Sequence, residues 1–297
     1  MTDKSRQLAI IIVEFNTPDD TIKCLETLEA QLGEQCKLFI YDNSAEESTQ
    51  LKERLETSPV PYEYHFNNGN VGFAKGCNLG LARAKEDGFD YAMLLNSDTL
   101  MVDDSPLLAF DLFEQLPDVG VLGLVNYFSS RPTEIWQAGK TLRKSNLGFH
   151  PVAMDAEGPV TYCDYVPGSS FIIRLSLLDS VGLLDENYFA YYEEIDFCFR
   201  AKAQGYRVAY INDSKILHHV GHSSNSAIKS YLKTRNKLYF YRTILNFTPQ
   251  FFLVTSTLLV KDFLITALKD RCIKCLKYML VGIRDYRQKN MEFKRFQ

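Results

Sequence analysis

The stretch Tyr91-Ala-Met-Leu-Leu-Asn-Ser-Asp-Thr99 constrains the fold more than any other part of the chain. An apolar run leads straight into a polar turn that carries a carboxylate. A short apolar run bounded by turn formers reads as a buried strand. In an open α/β sheet, ligands bind beyond the carboxyl ends of the strands. Asp98 therefore stands where a hard cation and a phosphate belong. A single aspartate after a strand is ordinarily a turn or cap residue. What distinguishes Asp98 is its company: Asp42 closes an earlier apolar run, and Glu193-Glu194-Ile195-Asp196 follows downstream.

Around that strand the pattern alternates. Residues 8–15 are apolar enough for a strand buried on both faces. Thr17 as N-cap and Pro18 in the first turn then start a helix. A second strand over 37–41 ends in Asp42-Asn43-Ser44, and a charged, helix-period segment runs to about Thr57. A third strand over 62–66 is followed by the loop Asn67-Asn-Gly-Asn-Val-Gly72, a helix over 73–86 and the fourth strand, 91–95. Strands alternating with helices predict an α/β fold with a mostly parallel sheet. Beyond residue 105 the reading gives a helix at 107–116, strands at 119–125, 170–174 and 207–211, and a helix at 193–204, with 129–160 irregular. From Ser226 the pattern is helical, restarting at Thr248-Pro249. The expected division is a body, 1–225, and a helical C-terminal region, 226–297.

With 297 residues, 46% hydrophobic and 24% charged, the chain can bury a sizeable core. Its seven cysteines are scattered and odd in number, which implies no disulfide framework and a reducing cytoplasm. Cys272 and Cys275 read as two small apolar residues on one helix face. Residues 1–7 lack the apolar core of a signal peptide. The net charge of −4 conceals a division. Residues 226–297 hold 15 Lys and Arg against 4 Asp and Glu, net +11, which leaves the body at −15. A basic, apolar tail seeks phosphates, on nucleic acid or on an anionic membrane.

Three clusters carry chemistry. Gly72, Gly76 and Gly80 repeat every four residues and share one helix face. They serve either tight helix–sheet packing or a nucleotide lying across the helix start. The spacing is not that of the dinucleotide fingerprint. In Glu193-Glu194-Ile195-Asp196, flanked by aromatic residues, the acids either favour a helix N-terminus or include a general base raised in pKa by its neighbours. Arg200 is spaced to pair with Asp196, which makes Glu193 or Glu194 the reactive group. Finally, His218, His219 and His222 fall within five residues, and on an extended segment only one of them can complete a site with Asp98.

Together these pieces resemble the family 2 glycosyltransferases of GT-A type over roughly residues 8–245. The resemblance rests on Ile-Ile-Val-Glu-Phe-Asn, Tyr-Asp-Asn-Ser, Asn-Val-Gly-Phe-Ala-Lys-Gly-Cys-Asn-Leu-Gly and Leu-Leu-Asn-Ser-Asp-Thr. It continues in Val-Pro-Gly-Ser-Ser-Phe-Ile-Ile-Arg, Gly-Leu-Leu-Asp-Glu-Asn-Tyr-Phe, Tyr-Tyr-Glu-Glu-Ile-Asp-Phe-Cys-Phe-Arg and His-His-Val-Gly-His-Ser. The Glu-Glu-x-Asp form looks most like the bacterial rhamnosyltransferase branch. The resemblance implies a GT-A (Rossmann-like) sheet flanked by helices, and inverting transfer from a nucleoside diphosphate sugar with Mg2+ or Mn2+. It implies that Phe15, Asp42, Asn70, Gly72, Lys75, Asn78 and Asn96 bind the donor, Asp42 contacting the base. Asp98 and His218 would hold the metal, with His219 the rival ligand. Glu194 would be the base, with Glu193 and Asp196 beside it. Glu14 and Asn96 depart from the family's more usual Thr and acid.

Two other classes stay open at this point. A nicotinamide oxidoreductase requires G-x-G-x-x-G after the first strand, where this chain has Asn16-Thr17-Pro18. A sugar-binding protein without turnover is set against the joint presence of Asp42, Asp98, Glu194 and Arg200. The branch implies thymidine diphosphate-rhamnose as donor and a saccharide or lipid-linked acceptor in cell-surface polysaccharide synthesis, with uridine diphosphate hexoses the alternative. In the tail, residues 251–260 are apolar for only ten positions before Lys261-Asp262, too few to span a bilayer. They either pack onto the catalytic body or, with the surrounding basic residues, suit a helix lying in an anionic interface. The expectation is a peripheral protein on the inner face of the cell membrane, with no nucleic-acid partner. A homo-oligomer is compatible with the same tail.

Overall fold

A computed structural model describes residues 6–293, apart from 144, 156, 220–225, 247 and 269–271. In the first half, β1 (Leu8–Glu14), α1 (Pro18–Gln31), β2 (Cys36–Asp42), α2 (Thr49–Glu56), β3 (Tyr62–Phe66), α3 (Phe73–Glu86) and β4 (Tyr91–Asn96) alternate as the pattern predicts. There follow β5 (Thr99–Met101), α4 (Leu108–Gln115), β6 (Val119–Gly123), β7 (Asn126–Phe128), β8 (Arg131–Gln137), β9 (Lys140–Arg143) and β10 (Gly148–Pro151). Next come β11 (Val160–Cys163), β12 (Ser170–Arg174), α5 (Leu178–Val181), α6 (Glu193–Ala203), β13 (Arg207–Ile211) and β14 (Ile216–His218). The chain closes with α7 (Ser226–Leu245), α8 (Pro249–Leu268) and α9 (Ile273–Arg287).

The main sheet has eight strands in the order β11-β13-β6-β12-β4-β1-β2-β3. Parallel pairing joins β3, β2, β1 and β4, and again β6 and β13, while β12 and β11 run antiparallel to their neighbours. The sheet is therefore mostly parallel, with helices on both faces. All seven residues of β1 are buried, because both faces are covered. Leu8, Ile10 and Ile12 enter one core with Leu25 and Leu28 of α1 and Leu51 of α2. Ala9, Ile11 and Val13 enter the other, with Cys77 and Leu81 of α3 and Phe197 of α6. The two-residue period of a strand thus divides one apolar run between two layers. Each fully buried aliphatic side chain contributes about 1.5–3 kcal/mol.

The glycine stripe of α3 is chiefly a packing device. A Cβ on Gly80 would lie 2.5 Å from Ile11 Cγ2, and one on Gly76 2.9 Å from Val13 Cγ2. Only backbone that bare lets α3 settle against β1. Gly72, at φ 93°, begins the helix in a conformation side chains rarely adopt, and a Cβ there would meet the Phe189 ring at 2.6 Å.

The structure corrects several readings. The segment 129–160, expected to be irregular, contains β8 and the β9–β10 hairpin, and β8 joins β5, β14 and β7 in a second, four-stranded sheet. These strands are short and much of β8 is exposed, so they lack the apolar alternation that marks a half-buried strand. Thr17 does not cap α1 with its side chain. Instead Glu14, fully buried, accepts from Thr17 N (2.6 Å), Thr17 Oγ1 (3.0 Å) and Thr21 Oγ1 (2.5 Å). Cys272 and Cys275 are joined by a disulfide rather than standing apart, since Cys272 at the N-cap of α9 lies one helical turn from Cys275. The apolar run at 251–260 does not end at Lys261-Asp262. It belongs to the 20-residue helix α8, long and apolar enough by length and composition to cross a membrane. Lys237 of α7 pairs with Asp262, which lets the helix run on through a charged position.

The C-terminal helices are not a separate layer. Phe240 and Tyr241 of α7 and Phe251 of α8 share the core that contains Ile11 and Phe197. Tyr231 of α7 donates to Asp285 of α9 at 3.0 Å, and a Cβ on Gly282 would strike Tyr231 O at 2.7 Å.

Candidate active site

A cavity of about 690 Å3 opens at the carboxyl ends of β1 and β4. Val13, Phe15, Thr17, Asn70, Asn96, Ser97 and Asp98 line one part of it. Trp136, Lys140, Tyr165, Gly168 and Ser169 line another, and Tyr191 to Glu194 form a third wall. The remaining wall is helical: Lys229, Lys233 and Lys237 of α7, Asp262 and Ile265 of α8, and Met279 of α9.

Asp98 follows β4 and is 6% exposed. Pairing of β14 with β5 sets His218 opposite Thr99 and brings His218 Nε2 to 3.0 Å from Asp98 Oδ1. The backbone N–H of His219 donates to Asp98 O at 2.9 Å. His218 packs edge-on to the Trp136 ring, and its Nδ1 is buried with no protein partner. Among the described residues no group of three or more His, Cys, Asp or Glu side chains converges. The Asp98 carboxylate fits a magnesium- or manganese-type ion, which takes one or two carboxylates and completes its shell with substrate phosphates and water, whereas the His218 nitrogen is a softer donor than magnesium ordinarily takes. Gly221, His222 and Ser223, which support the motif's register, lie outside the described residues.

Glu193 and Glu194 begin α6. The backbone before them is strained: Phe189, Tyr191 and Tyr192 have φ of 65°, 69° and 82°. Non-glycine residues in this region cost about 1–3 kcal/mol each and need outside support. Two neighbours on α7 supply it. Asn236 Nδ2 donates to the carbonyls of Tyr188 (2.9 Å), Ala190 (2.8 Å) and Tyr191 (2.7 Å). Arg235, fully buried, donates to the carbonyls of Asn187 and Tyr188, both at 3.0 Å. The segment so held aims the two glutamates at the cavity. One oxygen of each carboxylate is buried without a hydrogen-bond partner among the described residues. Burial raises the pKa of Glu193 well above the usual carboxylate range, and the Glu194 charge adds to it. Burial also raises Glu194, while backbone N–H groups and Lys233 oppose the shift. A carboxylate that is desolvated, with one oxygen left without a hydrogen bond and a cavity beside it, is equipped to accept a proton.

The other expected site residues divide. Phe15, Asn70 and Asn96 line the cavity. Asp42 does not: it is fully buried, accepting from Tyr64 Oη (2.7 Å) and Ser44 N (2.8 Å). Gly72 and Asn78 shape the wall from behind. Asn78 is buried, donating to Leu184 O and Glu186 Oε1 and accepting from Leu184 N, all at 3.0 Å. Lys75 is exposed and outside the cavity wall. Asp196, grouped with the glutamates as a catalytic candidate, is also outside it; its carboxylate accepts from Arg200 Nε at 2.7 Å and Tyr188 Oη at 3.3 Å. The i to i+4 spacing on α6 causes that pairing. Lys140, Lys233, Trp136, Arg235 and Asn236 escaped the sequence reading. In the sequence Arg235 is one of the fifteen basic residues of the tail, and no local signal distinguishes a buried arginine from an exposed one.

Residues 91–284 match the family model described as "Glycosyl transferase family group 2". The low-salt glycan biosynthesis hexosyltransferase Agl10 of Haloferax volcanii is 23% identical over 77% of this chain and 74% of its own length. Rhamnosyltransferase WbbL of Escherichia coli K12 is 26% identical over 73% of this chain and 85% of its own. Among solved structures, mannosyltransferase PcManGT from Pyrobaculum calidifontis, in complex with GDP-Man and Mn2+, superposes with a TM-score of 0.61. That likeness covers 97% of this chain and 88% of that one at 11% identity, and so speaks to the fold. The mostly parallel sheet and the family match over most of the chain agree: the protein is a glycosyltransferase of family 2 with a GT-A fold.

Proposed function

We propose that the chain transfers rhamnose from thymidine diphosphate-rhamnose to a saccharide on a lipid-linked acceptor, with inversion at the anomeric carbon. One observation carries the reading: Asp98 with His218, and the carboxylates of Glu193 and Glu194, each with one oxygen left without a hydrogen bond among the described residues, line the same cavity. Phe15, Asn70 and Asn96 bind the donor, and Gly72 and Asn78 hold the loop and helix that present them. Asp98 and His218 would hold Mg2+ or Mn2+, which when bound would supply positive charge toward the departing diphosphate. Glu194 takes the proton of the acceptor hydroxyl as that oxygen attacks the anomeric carbon. The bond to the diphosphate breaks on the opposite face, so one displacement inverts the centre. Likeness to a relative named rhamnosyltransferase supports the sugar.

The region 226–297 serves the acceptor side. Phe252, Leu253, Val260, Leu264 and Leu268 of α8 are exposed, and only 11% of its most apolar stretch is buried. An exposed apolar helix beside basic residues lies in an anionic membrane interface. The protein thus works as a peripheral enzyme on the inner membrane face.

Glu194→Gln tests the chemistry. The variant should bind donor normally and lose transfer by about 10²–10⁴-fold, the worth of a general base. Asp98→Ala should instead remove metal-dependent donor affinity, read by thermal shift with thymidine diphosphate-rhamnose and Mn2+. Near-normal turnover in Glu194→Gln, or wild-type activity that survives chelator, overturns the respective assignment. Stabilisation by uridine diphosphate hexoses alone overturns the donor.

A further inference from the structure

Four lysines line the cavity on the side of the glutamates: Lys140 at the start of β9, and Lys229, Lys233 and Lys237 on α7. The three on α7 recur every four residues, so they form one stripe with steps of about 6 Å. Lys237 is paired with Asp262. Among the described residues Lys140, Lys229 and Lys233 form no salt bridge. The ammonium groups of Lys229 and Lys233 lie 5.9 and 5.4 Å from the centre of the Tyr191 ring, drawn to one aromatic face beside the strained turn. Lys233 opens into the cavity, yet the walls around it and the Lys229 charge hold its pKa down, to about 8, against the pull of Glu194. Burial likewise lowers Lys140. Lysines crowded in this way repel one another, as the effect of Lys229 on Lys233 shows, and a further anion placed among them relieves the cost.

Position identifies the anion's source. Lys140 and Lys233 interact with Glu194, the base proposed above for the acceptor's hydroxyl. Lys229 and Lys233, with Ser230, also line a second hollow of about 380 Å3 bounded by Ser226, Cys272 and Cys275. Ile265 of α8 and Met279 of α9 flank the same wall of the main cavity, next to the exposed apolar face of α8. A ligand with a saccharide at Glu194, a phosphate on the lysines and an apolar chain along α8 satisfies all three surroundings.

We propose that Lys229 and Lys233, with Lys140 facing the same cavity, bind the diphosphate of a lipid-linked acceptor, a site distinct from the donor's diphosphate at Asp98. The proposal rests on the glycosyltransferase reading for its substrate class. The single tryptophan, Trp136, lines the cavity and reports binding by its fluorescence. Geranyl diphosphate serves as probe, with geraniol as the uncharged control. It should bind when the donor site is saturated with thymidine diphosphate and Mn2+, and geraniol should bind far more weakly. Lys229→Gln with Lys233→Gln should weaken geranyl diphosphate by about tenfold or more, as expected for lost charge-assisted hydrogen bonds, and leave thymidine diphosphate unchanged. Competition between the two diphosphates, with the double variant weakening thymidine diphosphate, gives the lysines to the donor and overturns the proposal. No binding of geranyl diphosphate, or equal binding by the variant, also overturns it. Failure of thymidine diphosphate-rhamnose turnover while geranyl diphosphate still binds through the lysines counts against the donor reading alone.

Discussion

At the residue scale, Glu193 and Glu194 set function against stability. Both carboxyls titrate above the usual carboxylate range because burial penalises their charge. The fold therefore holds protons that the unfolded chain gives up. Stability from this source is fully present below the unfolded-chain pKa and is lost as pH rises through the folded one. At neutral pH the pair destabilises the protein. Glu193→Gln should raise the unfolding free energy at pH 7.5 by on the order of 1 kcal/mol or more. Catalysis has the opposite sign, since an ionised base is needed. The acid limb of kcat should lie above the ordinary carboxylate range, because burial raises Glu194, and should stay there in Glu193→Gln, because Glu193 titrates higher still and is neutral when Glu194 ionises. A denaturation curve and a pH–rate profile check both expectations. An acid limb in the ordinary carboxylate range removes Glu194 as the base.

At the element scale, α7 decides where the start of α6 points. Three residues in left-handed backbone precede Glu193, and Asn236 spans them with three hydrogen bonds. Asn236→Ala should cost about 1–3 kcal/mol of stability by leaving buried carbonyls without donors. It should also lower kcat with little change in donor affinity and bring the acid limb down, as water reaches the loosened glutamates. A lower melting temperature with an unmoved pH profile makes Asn236 merely structural. None of this is legible in the chain before folding. The strain at Tyr191 and Tyr192 and its support at Asn236 are more than forty positions apart, and no period or spacing connects them. By contrast α3 was legible, because the Asn67-to-Gly72 loop and the glycine stripe act through local backbone geometry.

At the scale of the whole molecule, the charge division has a structural counterpart. The GT-A body carries the acid clusters, while α7, α8 and α9 bring lysines into the cavity and leave apolar side chains outside. Leu253 is 72% and Leu264 53% exposed, so glutamate at both positions leaves the core intact. The full-length protein should float with anionic vesicles and be released by high salt, which screens the basic residues. Leu253→Glu with Leu264→Glu should remain in solution with unchanged thermal stability. Equal flotation of this variant removes α8 from the membrane reading.

Local and periodic features alone determined the strand–helix alternation, the parallel half of the sheet, the placing of Asp98 after β4 and the start of a helix at Glu193 and Glu194. Each depends on an apolar run, a turn or a cap that a few neighbouring residues specify. Tertiary structure decided what each polar group faces. Asp42 and Asp196 look like site acids in the chain, yet Tyr64, Ser44 and Arg200 take up their oxygens. Lys233 and Arg235 look alike in a basic tail, yet one lines the cavity and the other is buried beneath the strained turn. The physical reason is that a charged group's role depends on its partners and its access to water, and both are set by residues distant in sequence.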